Sequence, residues 1–303
     1  MKDKKLLGNV LLLITALIWG SSFVAQRLGT NFLEPFSFNS VRTIIGGISL
    51  LPVIYIIDRK KTAEERKSSP EARKMLLMGG FFCGLALFVA SSLQQIGIET
   101  TSAGKAGFIT SLYIILVPLI SVFIGKPVRS TIWGAVMLGV GGLYLLCIKE
   151  GFSISKGDFL VLLCAVAYAF HILVIAHYAP KVDGLKLSCL QFLIAGAMGL
   201  VCMFIFEKPE INNFKSCILP ILYSGLFSCG IAYTLQIIAQ KWTEPSIASL
   251  LMSFESVFAV LSGWLILGES FSVREIGGCA LMFCAVIMAQ RFDYVNEKGD
   301  LLE

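Results

Sequence analysis

Residues Gln94–Gly125 read QQIGIETTSAGKAGFITSLYIILVPLISVFIG, and Gln236–Gly268 read QIIAQKWTEPSIASLLMSFESVFAVLSGWLILG. Each stretch is the end of one apolar segment, a short polar break, then a second apolar segment. Gln94 meets Gln236 and Ser111 meets Ser253 at an offset of 142, whereas Gly125 meets Gly268 at 143. One residue therefore slips inside the second helix of the pair. The chain is written twice.

Composition says what kind of repeat this is. The chain is 56% hydrophobic and only 15% charged, and its mean hydropathy is +0.80. Runs such as Leu6–Ala25 and Phe192–Phe206 hold no ionised side chain. A bilayer-spanning helix needs about 20 mostly apolar residues, and that length recurs from end to end. The chain reads as a polytopic membrane protein with no soluble domain able to fold alone. Its net charge of +5 gathers at segment ends, which fits lipid headgroups and topology rather than nucleic acid. Nine cysteines lie mostly within apolar runs and form no C-x-x-C pair, so no disulfide framework, metal site or cofactor is expected. Met1–Lys5 followed by Leu6–Ala25 imitates a signal peptide. The apolar run is too long and lacks a cleavage site, so it reads as a retained first helix.

Ten segments are expected, at roughly 6–26, 37–57, 74–96, 101–124, 129–149, 157–178, 186–206, 215–239, 245–267 and 272–290. The charged connection Asp58–Arg73 is the exception among short ones, and the polar tail 291–303 is expected to fray in the cytoplasm. Counting Lys and Arg on alternate sides gives 17 against 6. The positive-inside rule then places both termini in the cytoplasm, with the chain in a plasma (inner) membrane.

The repeat extends beyond the opening stretches. Ala16-Leu17-Ile18-Trp19 aligns with Ala165-Val166-Ala167-Tyr168, and Val41-Arg42 with Leu190-Gln191, both at 149. Ile132-Trp133-Gly134 meets Glu275-Ile276-Gly277 at 143. Five helices is an odd number, so the second half, 157–290, enters the membrane from the side opposite to the first, 1–149. The expected fold is all-α, ten transmembrane helices as two inverted five-helix repeats. Such repeats meeting at a midplane site are the architecture of alternating-access transporters.

Several of these residues resemble the drug/metabolite transporter superfamily, specifically its EamA type. They are Ile18-Trp19-Gly20-Ser21-Ser22-Phe23, the Arg42 helix after Pro35, Thr101-Ser102-Ala103, Ser253-Phe254-Glu255 and Leu267-Gly268-Glu269. The resemblance covers essentially the whole chain. It implies a central cavity lined chiefly by helices 1, 3, 4, 6, 8 and 9, and transport of small metabolites, often amino-acid export. The family pattern usually has Pro after the ninth-helix Glu, where this chain has Ser256. In the first half Tyr113 stands where Glu255 stands in the second, and a Pro appears only at Pro118.

An ionisable side chain inside a membrane costs roughly 2.5–3.5 kcal/mol on insertion scales, so such residues are functional candidates. Glu255 lies about 15 Å into the ninth segment at 1.5 Å per residue. A carboxyl there suits a proton carrier or a binder of ammonium groups; the plainer reading is an interhelical hydrogen bond. His171 can titrate or donate to a substrate carboxylate, or sit satisfied in the core. Lys105, among small residues, can attract a carboxylate or phosphate, or snorkel to headgroups. Arg42 reads as equally shallow, a snorkelling or helix-pairing residue. Trp19 and Tyr168 carry polar tips that need partners, which makes both cavity-wall candidates beside ordinary core packing. Tyr113, Gln94 and Gln236 form a second rank, and Pro118 is a candidate hinge. Gly46-Gly47, Gly79-Gly80, Gly139, Gly141-Gly142 and Gly277-Gly278 read as helix-packing faces.

The expected activity is secondary transport of a small molecule, with lipid and protons as further partners and the chain a monomer or homodimer. An importer or exchanger of an organic anion or nucleotide-linked sugar, bound by Lys105, is the alternative within transport. An intramembrane enzyme is the rival from another class. It would need a clustered catalytic set that two histidines and no paired carboxylate do not supply.

Overall fold

The computed structural model describes residues 2–62, 69–101, 103–126, 128, 130–147, 155–267 and 272–299, and every regular element among them is helical. The first half holds α1 (Lys2–Gly29), α2 (Pro35–Lys60), α3 (Pro70–Thr100), α4 (Ala103–Ser111), α5 (Tyr113–Phe123) and α6 (Ser130–Cys147). The second begins with α7 (Lys156–Tyr178), α8 (Gly184–Phe206), α9 (Ile211–Ser216) and α10 (Ile218–Leu222). A π-helical stretch, Tyr223–Tyr233, leads into α11 (Thr234–Ala239), then α12 (Pro245–Met252), α13 (Glu255–Leu267) and α14 (Val273–Gly299).

Local chemistry sets these boundaries. Pro35, Pro70 and Pro245 open their helices at the position where a missing N–H costs nothing. Ser155 and Asp158 form a reciprocal capping box at the start of α7. At the end of α5, Gly125 takes φ 76°, and Lys126 N–H reaches the Ser121 carbonyl at 2.9 Å. That is a Schellman closure, which favours glycine because a side chain is strained there. No proline interrupts α14, whose helix runs through Gly299 where the sequence suggested a frayed tail.

Among the described residues, eight helical runs are long and apolar enough to cross a membrane, and two shorter apolar helices occupy Ile132–Leu145 and Ile276–Met288. Side chains sort accordingly. Phe204 and Leu265 are 72% and 71% exposed, while Arg42 and Glu255 are each 4% exposed. An apolar exterior around a polar interior is stable only in lipid, so this is a multi-pass membrane protein.

Packing pairs elements from the two halves. α3 lies against α7 and α8, α6 against α14, α2 against α8 and the π-helical stretch, and α1 against α13 and that stretch. Backbones approach most closely at glycines. A Cβ on Gly20 would stand 2.5 Å from Phe258 Cβ and 2.6 Å from the Glu255 carbonyl, which fixes the α1–α13 crossing. Gly46, Gly47, Gly79, Gly80, Gly139 and Gly142 likewise face neighbours, but Gly141 and Gly277 have nothing within 4 Å. The expected packing role fails at those two, which meet no neighbour among the described residues.

α2 and α8 are tied at both ends, and the ties show them antiparallel. Glu207, just past α8, accepts from Phe36 N–H, Ser37 N–H and Ser37 Oγ, each at 2.6 Å. It thereby caps the start of α2, whose own preceding residue Glu34 makes no side-chain cap bond. At the other end Asp58, near the end of α2, meets Lys186 Nζ at 2.7 Å in the first turn of α8. Asp58 also accepts from Lys61 at 2.9 Å, and that bond holds the Lys61 ammonium above its usual pKa. Asp58 and Glu207 are 149 apart, as are Ser37 and Lys186. One contact is made twice.

Candidate functional site

The membrane helix expected at 101–124 is broken into α4 and α5 at Leu112, and the one expected at 245–267 into α12 and α13 at Ser253–Phe254. Leu112 and Phe254 are 142 apart, so the breaks fall at repeat-equivalent places. Pro118 lies inside α5 and is not itself the interruption. Its ring and missing N–H act on the carbonyl four residues earlier, at Ile114, so the disturbance falls on the turn before it. The second break arises without proline. There the Ser249 and Ser253 hydroxyls donate to the Ser246 and Leu250 carbonyls at 2.9 and 2.7 Å, a pattern that loosens helices.

The two breaks touch. Tyr113, first residue of α5, donates its phenol to Glu255 Oε1 at 2.9 Å, and Glu255 is the first residue of α13. Ser111 Oγ lies 3.4 Å from the same oxygen and 2.6 Å from Ser256 Oγ, which itself donates to the Gly107 carbonyl at 3.1 Å. With the Ser256 proton so used, Ser111 spends its one proton on the shorter contact. Tyr113 is then the principal donor to Glu255, and Oε2 of Glu255 has no protein partner among the described residues. The carboxyl stands in the first turn of a half-helix, where the helix dipole favours negative charge.

Glu255 and Tyr113 form one wall of a buried cavity. Trp19, Phe23 and Gln26 of α1, Arg42 of α2, Gln94 of α3 and Thr110 of α4 line it further, with Tyr168 of α7 and Ser228 and Tyr233 of the π-helical stretch. Arg42 therefore turns inward instead of snorkelling. Its Nε donates to Asn39 Oδ1 at 2.9 Å, and its guanidinium lies over the Phe38 ring at 5.6 Å. Gln94 Nε2 donates to Thr110 at 3.1 Å. Tyr233 donates to Tyr168 at 3.1 Å, and its ring centroid lies 4.5 Å from that of Trp19. The volume open to water-sized contents is about 30 Å³, enough for one or two waters and for no metabolite. A solute can enter only if these walls part.

Six sequence candidates thus converge: Trp19, Arg42, Gln94, Tyr113, Tyr168 and Glu255. His171 and Gln236, fully buried, are not on this cavity wall. His171 Nε2 is instead 3.0 Å from Gln191 Oε1. The side chain of Lys105 lies outside the described residues, as do Ser102 and the Gly268-Glu269 end of the last motif. Tyr233, Gln26 and Thr110 were missed by the sequence reading. Tyr233 carried the signal used for Trp19 and Tyr168, an aromatic with a polar tip inside an apolar run. π-helical segments recur at functional sites, and this one delivers both Ser228 and Tyr233.

The chain as a whole is similar to known proteins. Residues 6–148 and 155–290 each match the EamA-like transporter family. The chain belongs to that family, within the drug/metabolite transporter superfamily. A protein described as an uncharacterized transporter from Archaeoglobus fulgidus is 33% identical, over 94% of this chain and 86% of its own length. The transporter YoaV of Bacillus subtilis is 24% identical over 90% of this chain and 92% of that protein. The inner membrane transporter YedA of Escherichia coli is 23% identical over 92% and 89%. A crystal structure superposes with TM-score 0.75 at 20% identity, covering 96% of this chain and 98% of that one, which establishes the fold alone.

Proposed function

We propose that this chain is a secondary transporter that exports a small amino-acid-like metabolite across the plasma membrane by alternating access. The observation that carries the reading is the presence of Arg42 and Glu255 on the walls of one narrow, aromatic-lined cavity. Buried groups of opposite sign suit a zwitterion, whose carboxylate meets the guanidinium and whose ammonium meets the carboxyl. Without solute, Glu255 can take a proton in the ammonium's place, which gives a route to proton coupling. The transporter names of the family and its relatives support movement of a solute.

Ten membrane helices in two inverted halves are part of the proposal. The antiparallel α2 and α8, the twin breaks at Leu112 and Phe254 and the twin Asp58 and Glu207 contacts support it. Each principal packing pair has a repeat mate: α1 on α13 matches α7 on α5, and α3 on α7 matches the π-helical stretch on α1. With that topology the Lys and Arg asymmetry places both termini in the cytoplasm. The second reading, an importer or exchanger of organic anions or nucleotide-linked sugars, rests on Lys105. Lys105→Ala is expected to weaken anionic solutes more than neutral ones under it.

Flux into proteoliposomes, screened over amino acids, nucleosides and organic acids, tests the function. Movement of an amino acid above empty vesicles supports the reading, and no flux for any member of the panel overturns it.

A further inference from the structure

Beyond the central cavity, toward the end where α8 begins, α7, α8 and the chain around α11 carry four further buried polar side chains, His171, Gln191, Gln236 and Gln240. His171 of α7 pairs through Nε2 with Gln191 Oε1 of α8 at 3.0 Å. An amide oxygen only accepts, so Nε2 donates and Nδ1 of the neutral ring is left as an acceptor. Tyr233, which walls the central cavity, lies with its ring centroid 5.9 Å from that of His171. Gln236 and Gln240 follow Tyr233 at three and seven residues, on the same helical stripe. Gln240 Nε2 donates to the carbonyl of Ile172 at 3.1 Å, which seats that stripe against α7.

These side chains are 0–3% exposed, yet His171 Nδ1, Gln191 Nε2, both amide atoms of Gln236 and Gln240 Oε1 have no partner among the described residues. Buried polar atoms are nearly always paired. Five unpaired ones along a single seam mark a place where hydrogen bonds are made to something that comes and goes.

The repeat says what that place is. Gln191 occupies the position of Arg42 and His171 that of Ser22, each at an offset of 149, while Gln236 occupies that of Gln94 at 142. Because α2 and α8 are antiparallel, Arg42 and Gln191 each stand about 10 Å in from opposite ends of the pair. The cluster is thus the counterpart of the Arg42 side of the cavity, built at the other end with its cation replaced by an amide.

We infer that His171, Gln191, Gln236 and Gln240 form a second solute station, which receives the polar head of a small zwitterionic or anionic solute through uncharged donors and acceptors. This rests on the transport reading and gives it a direction of weakening. A carboxylate held by Arg42 meets an opposite full charge and a forked donor, whereas at Gln191 it meets an uncharged amide and loses the ion-pair attraction. The Gln191 end is the end of looser binding.

The first test reads water access and needs no flux, so its failure is separable from failure of the transport assay. Full-length Gln236→Cys and Gln26→Cys proteins in oriented proteoliposomes are treated with a membrane-impermeant methanethiosulfonate ammonium reagent, with the unsubstituted chain as background. Expected is labelling of Gln26→Cys from one face and of Gln236→Cys from the opposite face. Absence of Gln236→Cys labelling from either face, or labelling from the Gln26 face, overturns the proposal. A second variant, Gln191→Arg, is expected to raise the affinity of carboxylate solutes on the Gln236 face alone, read as a lower half-saturating concentration there. An unchanged value, or an equal change on both faces, overturns the recognition role.

Discussion

Tyr113 and Glu255 hold equivalent places in the two halves, each the first residue after its helix is interrupted, and the phenol of one is bonded to the carboxyl of the other at 2.9 Å. The contact joins two half-helices at the point where each has lost its regular backbone ladder. Movement of either half-helix therefore changes the partners of the carboxyl, and a change in its charge pulls on both.

Glu255→Gln keeps the shape and the acceptor oxygen but removes the proton-carrying group. It is expected to abolish proton-coupled flux while leaving expression and thermal unfolding close to those of the parent. Flux into proteoliposomes across a range of pH checks this. A variant whose transport keeps the parent's pH dependence would remove Glu255 from coupling.

Tyr113→Phe deletes the principal donor to Glu255. Hydrogen bonds to charged groups contribute about 1.5–3 kcal/mol, so transport is expected to fall by roughly tenfold to a hundredfold. Combined with Glu255→Gln, the second substitution should add little, because both act on one contact. Additive losses in that double-mutant cycle would separate the two residues.

Arg42→Gln leaves the aromatic walls in place and takes away the guanidinium. Competition assays should show carboxylate-bearing solutes weakened far more than amines of similar size that lack a carboxylate. Equal weakening of both classes would make Arg42 a packing residue of α2.

Gly20 and Gly141 separate glycines that pack from glycines that do not. A Val at Gly20 would collide with Phe258 and the backbone at Glu255 and Ala259, and overpacking of this kind costs about 1–3 kcal/mol. Gly141→Ala meets nothing within 4 Å. Thermal unfolding in detergent is expected to drop for the first and hold for the second.

The two ends of the α2–α8 pair should respond unequally. Glu207→Ala uncovers the first N–H groups of α2, a loss of about 1 kcal/mol by analogy with helix caps. Asp58→Asn removes a contact whose side chains are 28% and 30% exposed, where ion pairs contribute about 1 kcal/mol or less. Unfolding midpoints should fall further for Glu207→Ala.

Much of this was legible beforehand because lipid imposes a blunt code. Apolar length marked the spans, and the recurrence of Gln94 in Gln236 and Trp19 in Tyr168 exposed the duplication. Six of the chosen side chains meet at one cavity since a polar tip in hydrocarbon has few places to go. Arg42 was misjudged because depth along a helix says nothing of the direction a side chain faces. Pro118 announces an irregularity in its helix, but the interruption lies at Leu112, ahead of the proline, because a proline acts on the turn before it. Tyr233 depended on π-helical winding, which no periodicity in Tyr223–Tyr233 announces.

Asp58 and Glu207 leave a lasting mark on how the molecule can move. A pair of rods tied top and bottom tilts as one plank more readily than it spreads like scissors. The seam between α2 and α8 is thus a spine that ties one half of the chain to the other.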